Sequence, residues 1–207
     1  MKRPACARCL RPATACLCAA VRPVAHAVQV LVLMHPQEAG HAKNTGRLLH
    51  LCLPGSRVIV GEAFDPAVLA QPWHAADPPR HALLLYPPTP PNAQHPMHPA
   101  PALPLEWLAE PARLRLVVLD GTWRKSRRML WANPALQRLP RLALDDVPPS
   151  RYAIRKAHAA HQLSTLEAVE CALRQLEPGN AAIAALGEAM QAFMEIQRSY
   201  FFKNHSC

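Results

Sequence analysis

The sequence predicts an α/β domain built on a largely parallel sheet, preceded by a small cysteine-bound knuckle. Three observations carry that expectation. From Pro23 onward, short β-rich apolar runs alternate with helical stretches, the pattern of strands joined by helical crossovers. Four of the seven cysteines crowd into Cys6-x2-Cys9-x6-Cys16-x-Cys18. Finally, the 207 residues are half apolar and only 18% charged, enough for one buried core and too apolar for a disordered chain.

Each element follows from its residues. Ala27 to Met34 (AVQVLVLM) is a buried strand closed by His35-Pro36. Asn44 to Leu53 carries leucines at 48, 49, 51 and 53 and stops at Pro54-Gly55, as a helix would. Arg57 to Val60 and His81 to Tyr86 are strands, the second ended by Pro87-Pro88. Eight of the 23 prolines lie between Pro87 and Pro104, so that stretch reads as a solvated polyproline-like loop. Arg113 to Asp120 (RLRLVVLD) is the clearest strand, followed by a helix from about Thr122 to Ala132. Arg141 to Leu144 is a short strand. Ser164-Thr165-Leu166-Glu167 has the form of a capping box opening a helix through Leu176. A last amphipathic helix spans Ala181 to about Phe202, with Ile183, Leu186, Met190, Phe193, Met194 and Ile196 on one broad face.

The front of the chain divides from the rest at about residue 22, giving a knuckle over 1–22 and the α/β domain over 23–207. No stretch has the length of a membrane span, and the N-terminus lacks the apolar run of a signal peptide, so a cytoplasmic protein is expected. In that setting clustered cysteines read as a metal site, and Cys6, Cys9, Cys16 and Cys18 can close a tetrahedral thiolate shell around structural zinc. A redox CxxC is the alternative, weakened because no strand precedes it and no helical pattern follows.

Charge is the second bias: 23 Lys+Arg against 14 Asp+Glu leave +9. An excess of that size suits a polyanionic partner, although a generic basic protein has it too. Arg124, Lys125, Arg127 and Arg128 stand at a helix N-terminus, where the dipole disfavours cations unless an anion is met. Phosphate contact and a solvated basic face are both open readings. Arg151, Arg155 and Lys156 surround Tyr152 in a loop-like stretch, which offers RNA stacking plus charge, or ordinary packing of one aromatic ring. The polar segment His35 to Arg47 could bind anions through backbone N–H groups and Lys43.

The strongest chemical candidate is Asp120, at a strand end and followed by Gly121. Spacing alone favours Asp120 as the cap of the next helix; the sharper reading leaves its carboxylate at the mouth of the sheet. Trp123 is either core or a platform for a base. P-loop, GxGxxG, HExxH and GxSxG patterns are all absent, which argues against ATP, NAD, catalytic zinc and serine-hydrolase chemistry.

Taken together the motifs resemble the DTW-domain family, the tRNA-uridine aminocarboxypropyltransferases. The resemblance spans nearly the whole chain: the front CxxC and CxC, the His35 to Leu48 segment, Leu85-Tyr86-Pro87, the Asp120-Gly121-Thr122-Trp123 signature, Ser150 to Lys156 and Leu163 to Ala168. It implies a SPOUT-like fold with a C-terminal trefoil-type knot that binds S-adenosylmethionine. It also implies transfer of the 3-amino-3-carboxypropyl group to N3 of a tRNA uridine, position 47 being the bacterial family expectation, with methylthioadenosine released. Asp120, Thr122 and Trp123 would then form the catalytic group. Leu85, Tyr86, Pro87, Leu119 and Gly121 would hold the donor, and Lys43, Arg124, Lys125, Arg127, Arg128, Tyr152, Arg155 and Lys156 the tRNA. Ser126 stands where alanine is expected, and the proline-rich loop lacks the acidic sequence associated with relatives. A SPOUT methyltransferase using the same donor, and a non-catalytic zinc-bearing RNA-binding protein, are the competing readings.

Overall fold

A computed structural model describes residues 5–88, 99–144, 147–152 and 163–205. Five parallel strands, β1 (Gln29–Met34), β2 (Ser56–Val60), β3 (His81–Leu85), β4 (Leu114–Asp120) and β5 (Arg141–Leu142), lie in the order β2-β1-β4-β3-β5. The helices are α1 (Pro36–Ala39), α2 (Gly46–Cys52), α3 (Ala67–Ala70), α4 (Trp123–Ala132), α5 (Pro134–Gln137), α6 (Thr165–Leu176) and α7 (Ala185–His205).

Strand alternation splits the core in two. Val30, Val32, Leu114, Leu116 and Val118 point to one face, where they meet leucines of α2, α6 and α7 together with Cys9, Leu17 and Ala20 of the N-terminal segment. Leu31, Leu33, Leu84, Val117 and Leu119 point to the other, against Leu69 of α3, Met129 and Leu130 of α4 and Leu136 of α5. Both faces of β1 and β4 are therefore covered, which is why their centres, Val30–Met34 and Leu116–Leu119, are apolar at every position.

All five expected strands are present, with ends shifted by one or two residues. Ser164 and Glu167 form the capping box at the start of α6 as expected. The final helix differs slightly: Ala181–Ala184 is a 3-10 turn, and α7 begins at Ala185. Three one-turn helices, α1, α3 and α5, were not foreseen, because four residues are too few to display a helical period. No helix among the described residues is long and apolar enough to cross a membrane.

β1 and β4 are neighbours whose outgoing connections diverge. β1 leads to β2 on one side, whereas β4 leads to β5 on the other. Such a switch point leaves a crevice at the carboxyl ends of the two strands, and Met34 pairs with Asp120 there.

Candidate functional site

At that crevice Asp120 is 3% exposed. Its Oδ2 accepts from Asn44 Nδ2 at 2.5 Å and its Oδ1 from the Thr165 hydroxyl at 2.5 Å. The two donors come from opposite directions: Asn44 precedes α2, and Thr165 opens α6. The amide of Asn44 is oriented by a second bond, since its Oδ1 accepts from the Arg47 backbone N–H at 2.9 Å. Gly46 completes the cradle. A Cβ at that position would stand 2.6 Å from Asp120 Oδ2, closer than any side chain tolerates.

The helix-cap reading of Asp120 is therefore wrong. Thr122 is the N-cap of α4, its hydroxyl accepting from Lys125 N, and this releases the carboxylate for the interior. The two hydrogen bonds from Asn44 and Thr165 fix the orientation of the Asp120 carboxyl group.

Beside this carboxylate lies a cavity of about 310 Å³ lined by residues from the ends of β3, β4 and β5 and the start of α6. Leu85, Tyr86, Pro87, Leu119 and Gly121 all line it, as do Leu142, Leu144, Ser150, Ser164 and Thr165. Trp123 stands at its edge, 48% exposed, with its ring 5.9 Å from Tyr86 in an edge-on arrangement. The wall is mostly apolar with a few hydroxyls, the usual make-up of a small-molecule pocket. Among the described lining residues there is no lysine or arginine. The described lining suits a largely apolar group.

The wall is braced by α6. Buried Glu167 accepts from the Ser150 hydroxyl, from Arg151 N at 2.6 Å and from Ser164 N at 2.8 Å, which ties the segment 150–152 to the helix.

The expected RNA contacts divide. Lys125 is bonded to Glu38 at 2.7 Å in a largely shielded pair, and Arg128 lies 3.3 Å from Glu62. The anions met by half of this cluster are therefore the protein's own. Glu62 also accepts from His35 Nε2 at 3.1 Å, while His35 Nδ1 accepts from Gln37 N and caps α1. Arg124 and Arg127 are exposed on the outer face of α4. Tyr152 is 4% exposed, packs near Phe193, donates its hydroxyl to Lys43 O at 2.7 Å and lines the cavity rather than the outer surface. Arg155 and Lys156 lie outside the described residues.

The four front cysteines come together, with all sulfur atoms within 4.8 Å of one another. Cys6–Cys18 and Cys9–Cys16 are each 3.7 Å apart. Zinc–sulfur bonds of about 2.3 Å place tetrahedral sulfurs about 3.8 Å apart, the spacing of these two pairs, so the cluster could hold a metal ion such as zinc. Backbone N–H groups of Cys9 and Arg8 pull the Cys6 thiol down to about 6, whereas burial and the neighbouring thiols push Cys18 up to about 12, so a metal binding here would displace protons. Cys52 and Cys171 lie apart from this group, and burial pushes their thiols up.

Sequence reasoning missed Asn44, Gly46 and Thr165 as partners of Asp120. Asn44 and Gly46 lay inside the segment singled out for anion binding, and Thr165 inside the capping box. Nothing in either local pattern signals a carboxylate 76 or 45 residues away.

The DTW domain profile matches residues 3–198. The chain is 31% identical over 205 residues to tRNA-uridine aminocarboxypropyltransferase 2 of Mus musculus, an alignment covering 95% of this chain and 64% of the mouse protein. It is 34% identical over 182 residues to the Drosophila melanogaster protein of the same name, covering 85% and 68%. It is 26% identical over 200 residues to tRNA-uridine aminocarboxypropyltransferase A of Arabidopsis thaliana, covering 88% and 76%. The chain thus spans about two thirds of the length of the animal relatives. No solved structure matches it significantly.

Proposed function

From the premise that this chain belongs to the DTW-domain family, we propose that it is a tRNA-uridine aminocarboxypropyltransferase using S-adenosylmethionine. The group transferred is 3-amino-3-carboxypropyl, the acceptor is N3 of a tRNA uridine, and position 47 is the proposed site. The observation that carries this reading is the placement of Asp120: a buried carboxylate, oriented by Asn44 and Thr165, beside a cavity free of cations among its described lining residues.

The residues suit the donor. The apolar walls from Leu85, Leu119 and Leu142 accommodate an adenine ring, and the peptide groups at the ends of β3 and β5 can hydrogen-bond its edge. S-adenosylmethionine supplies a sulfonium leaving group, so the protein's task is chiefly to position the two reactants and manage one proton. The new bond joins N3 to the methylene carbon beside sulfur, the carbon–sulfur bond breaks, and the N3 proton must leave. Asp120 accepts or orients that proton, while Asn44 and Thr165 hold the carboxylate in place. Trp123 at the rim offers a face on which the uracil can stack, and Thr122 fixes the start of the helix that carries it.

Arg124 and Arg127 are the proposed phosphate contacts on α4, and Lys43, Arg155 and Lys156 are proposed as further contacts. Lys125 and Arg128 contribute through their ion pairs with Glu38 and Glu62 rather than by gripping RNA directly. Cys6, Cys9, Cys16 and Cys18 hold a structural zinc, in a knuckle over 1–22 attached to a transferase domain over 23–207. A SPOUT-like fold with a C-terminal knot is part of the proposal, supported by the strand order β2-β1-β4-β3-β5. The reduced, metal-type cysteine cluster suits a cytoplasmic setting.

Incubating the purified protein with S-adenosylmethionine and unmodified tRNA tests the reaction, with nucleosides and small products analysed by mass spectrometry. Aminocarboxypropyluridine and methylthioadenosine are expected. A methylated nucleoside with S-adenosylhomocysteine would instead identify a methyltransferase, and tRNA binding with neither product would identify a binding protein.

A further inference from the structure

The segment that carries Asn44 is held in an unusual way. Its three consecutive carbonyls each accept a hydrogen bond from a side chain of a different part of the molecule. Ala42 O accepts from Gln197 Nε2 of α7 at 3.2 Å, Lys43 O from the Tyr152 hydroxyl at 2.7 Å, and Asn44 O from Arg11 Nη2 at 3.2 Å. All three donors belong to buried residues, at 2%, 4% and 8% exposure. Two further bonds converge on the same place: Arg47 N donates to Asn44 Oδ1, and Arg47 Nη2 reaches back to Arg8 O at 2.7 Å.

Arg11 is the informative member. It stands between Cys9 and Cys16, just after Leu10, whose φ of 61° turns the chain inward. Burial makes its charge costly and lowers its pKa, opposed by the neighbouring Cys9, Tyr152 and Cys16. The guanidinium lies 5.2 Å over the Phe193 ring, and its Nη1 is buried without a hydrogen-bond partner. A buried arginine that makes one long hydrogen bond is a poor source of stability. Its placement is better explained by what it holds. The fork is delivered to the carbonyl of the residue whose amide meets Asp120.

We propose that Arg11, Tyr152 and Gln197 form a three-point carbonyl clamp that positions Asn44 against Asp120, and that the cysteine knuckle belongs to the catalytic architecture through Arg11. These are positioning residues, and the inference rests on Asp120 serving the proposed transfer.

The test compares wild-type protein, Arg11→Met, Tyr152→Phe and Asn44→Ala, all as full chains loaded with zinc. Arg11→Met keeps the apolar contact with Phe193 and removes only the donor; Tyr152→Phe deletes a single hydroxyl. Each is expected to lower kcat about 10- to 100-fold, because small displacements of a catalytic group are that costly. KM for both substrates should stay within about twofold in Arg11→Met, since Arg11 does not line the cavity; Tyr152 does line it, so Tyr152→Phe is read on kcat and on the Asn44 resonance. Arg11→Met combined with Asn44→Ala should be no slower than Asn44→Ala alone, because both act through one contact. The Asn44 side-chain amide resonance, identified by its loss in Asn44→Ala, should lose its protection from solvent exchange in both clamp variants. Wild-type kcat with an unchanged Asn44 resonance in Tyr152→Phe would overturn the clamp, as would additive losses in the double variant. Should Arg11→Met fail to fold, Tyr152→Phe alone decides. If the wild-type protein makes no transfer product while the Asn44 resonance responds as expected, the clamp stands and the proposed reaction falls.

Discussion

The ladder between β1 and β4 buries a charge at each end, and the two ends treat it differently. At the amino end Gln29 pairs with Arg115, and at the carboxyl end Met34 pairs with Asp120. Both accept or donate hydrogen bonds with neutral groups. Arg115, 1% exposed, gives Nε and Nη2 to Gln29 Oε1, Nη1 to the carbonyls of Val68 and Leu69, and Nη2 also to Gln71 O. Its guanidinium also lies 4.8 Å over the Trp73 ring, on whose face Arg57 rests as well. Arg115 thereby pins the loop around α3 to the sheet. Asp120 accepts short hydrogen bonds from the side chains of Asn44 and Thr165, two separate segments, and Thr165 also lines the cavity. The arginine ties a loop to the sheet; the carboxylate is set by side chains at the switch point, next to a cavity.

The sharpest way to break the comparison is to remove the structural charge. Arg115→Met should cost on the order of 3 kcal/mol of stability, because several buried carbonyls lose their donor. Denaturant unfolding measures that loss, and kcat at a temperature where the variant is folded should match wild type. A variant of normal stability but impaired turnover would erase the distinction between the two ends.

Gly46→Ala probes the reactive end with one methyl group. The new Cβ meets Asp120 Oδ2 at 2.6 Å, so either the carboxylate or α2 must shift. A fall in kcat of about 100-fold is expected from that displacement, with a smaller change in unfolding free energy. Normal kcat would mean that the carboxylate needs no fixed position.

The smallest effect concerns the basic helix, where paired and exposed cations adjoin. Arg124→Ala should reduce the slope of log affinity for tRNA against log salt by about 0.9, the share of one phosphate contact. Lys125→Ala should leave that slope nearly unchanged, because its ammonium is engaged by Glu38. Equal slopes for the two variants would show that the ion pair opens on binding.

Much of the fold was legible because parallel strands buried on both faces are apolar along their centres, as β1, β3 and β4 are. The cysteine cluster was legible because its ligands are close in sequence. What escaped notice was non-local. Asp120 looked like a helix cap since the chain places Asp, Gly and Thr in succession, and only the fold shows that Thr122 takes that role. Tyr152 among cations looked like a stacking ring until Lys43, 109 residues earlier, proved to be its partner. Arg115 was one letter in a strand, with no local sign that its four kinds of acceptor would be gathered around it.

Asp120→Asn tests the central claim most directly, since the amide has the same shape and cannot take a proton. Turnover of S-adenosylmethionine and unmodified tRNA would be measured beside tRNA affinity. The expected result is a loss of about 10²- to 10⁴-fold in kcat with tRNA binding retained. Unchanged turnover in that variant would contradict the account and remove Asp120 from the chemistry.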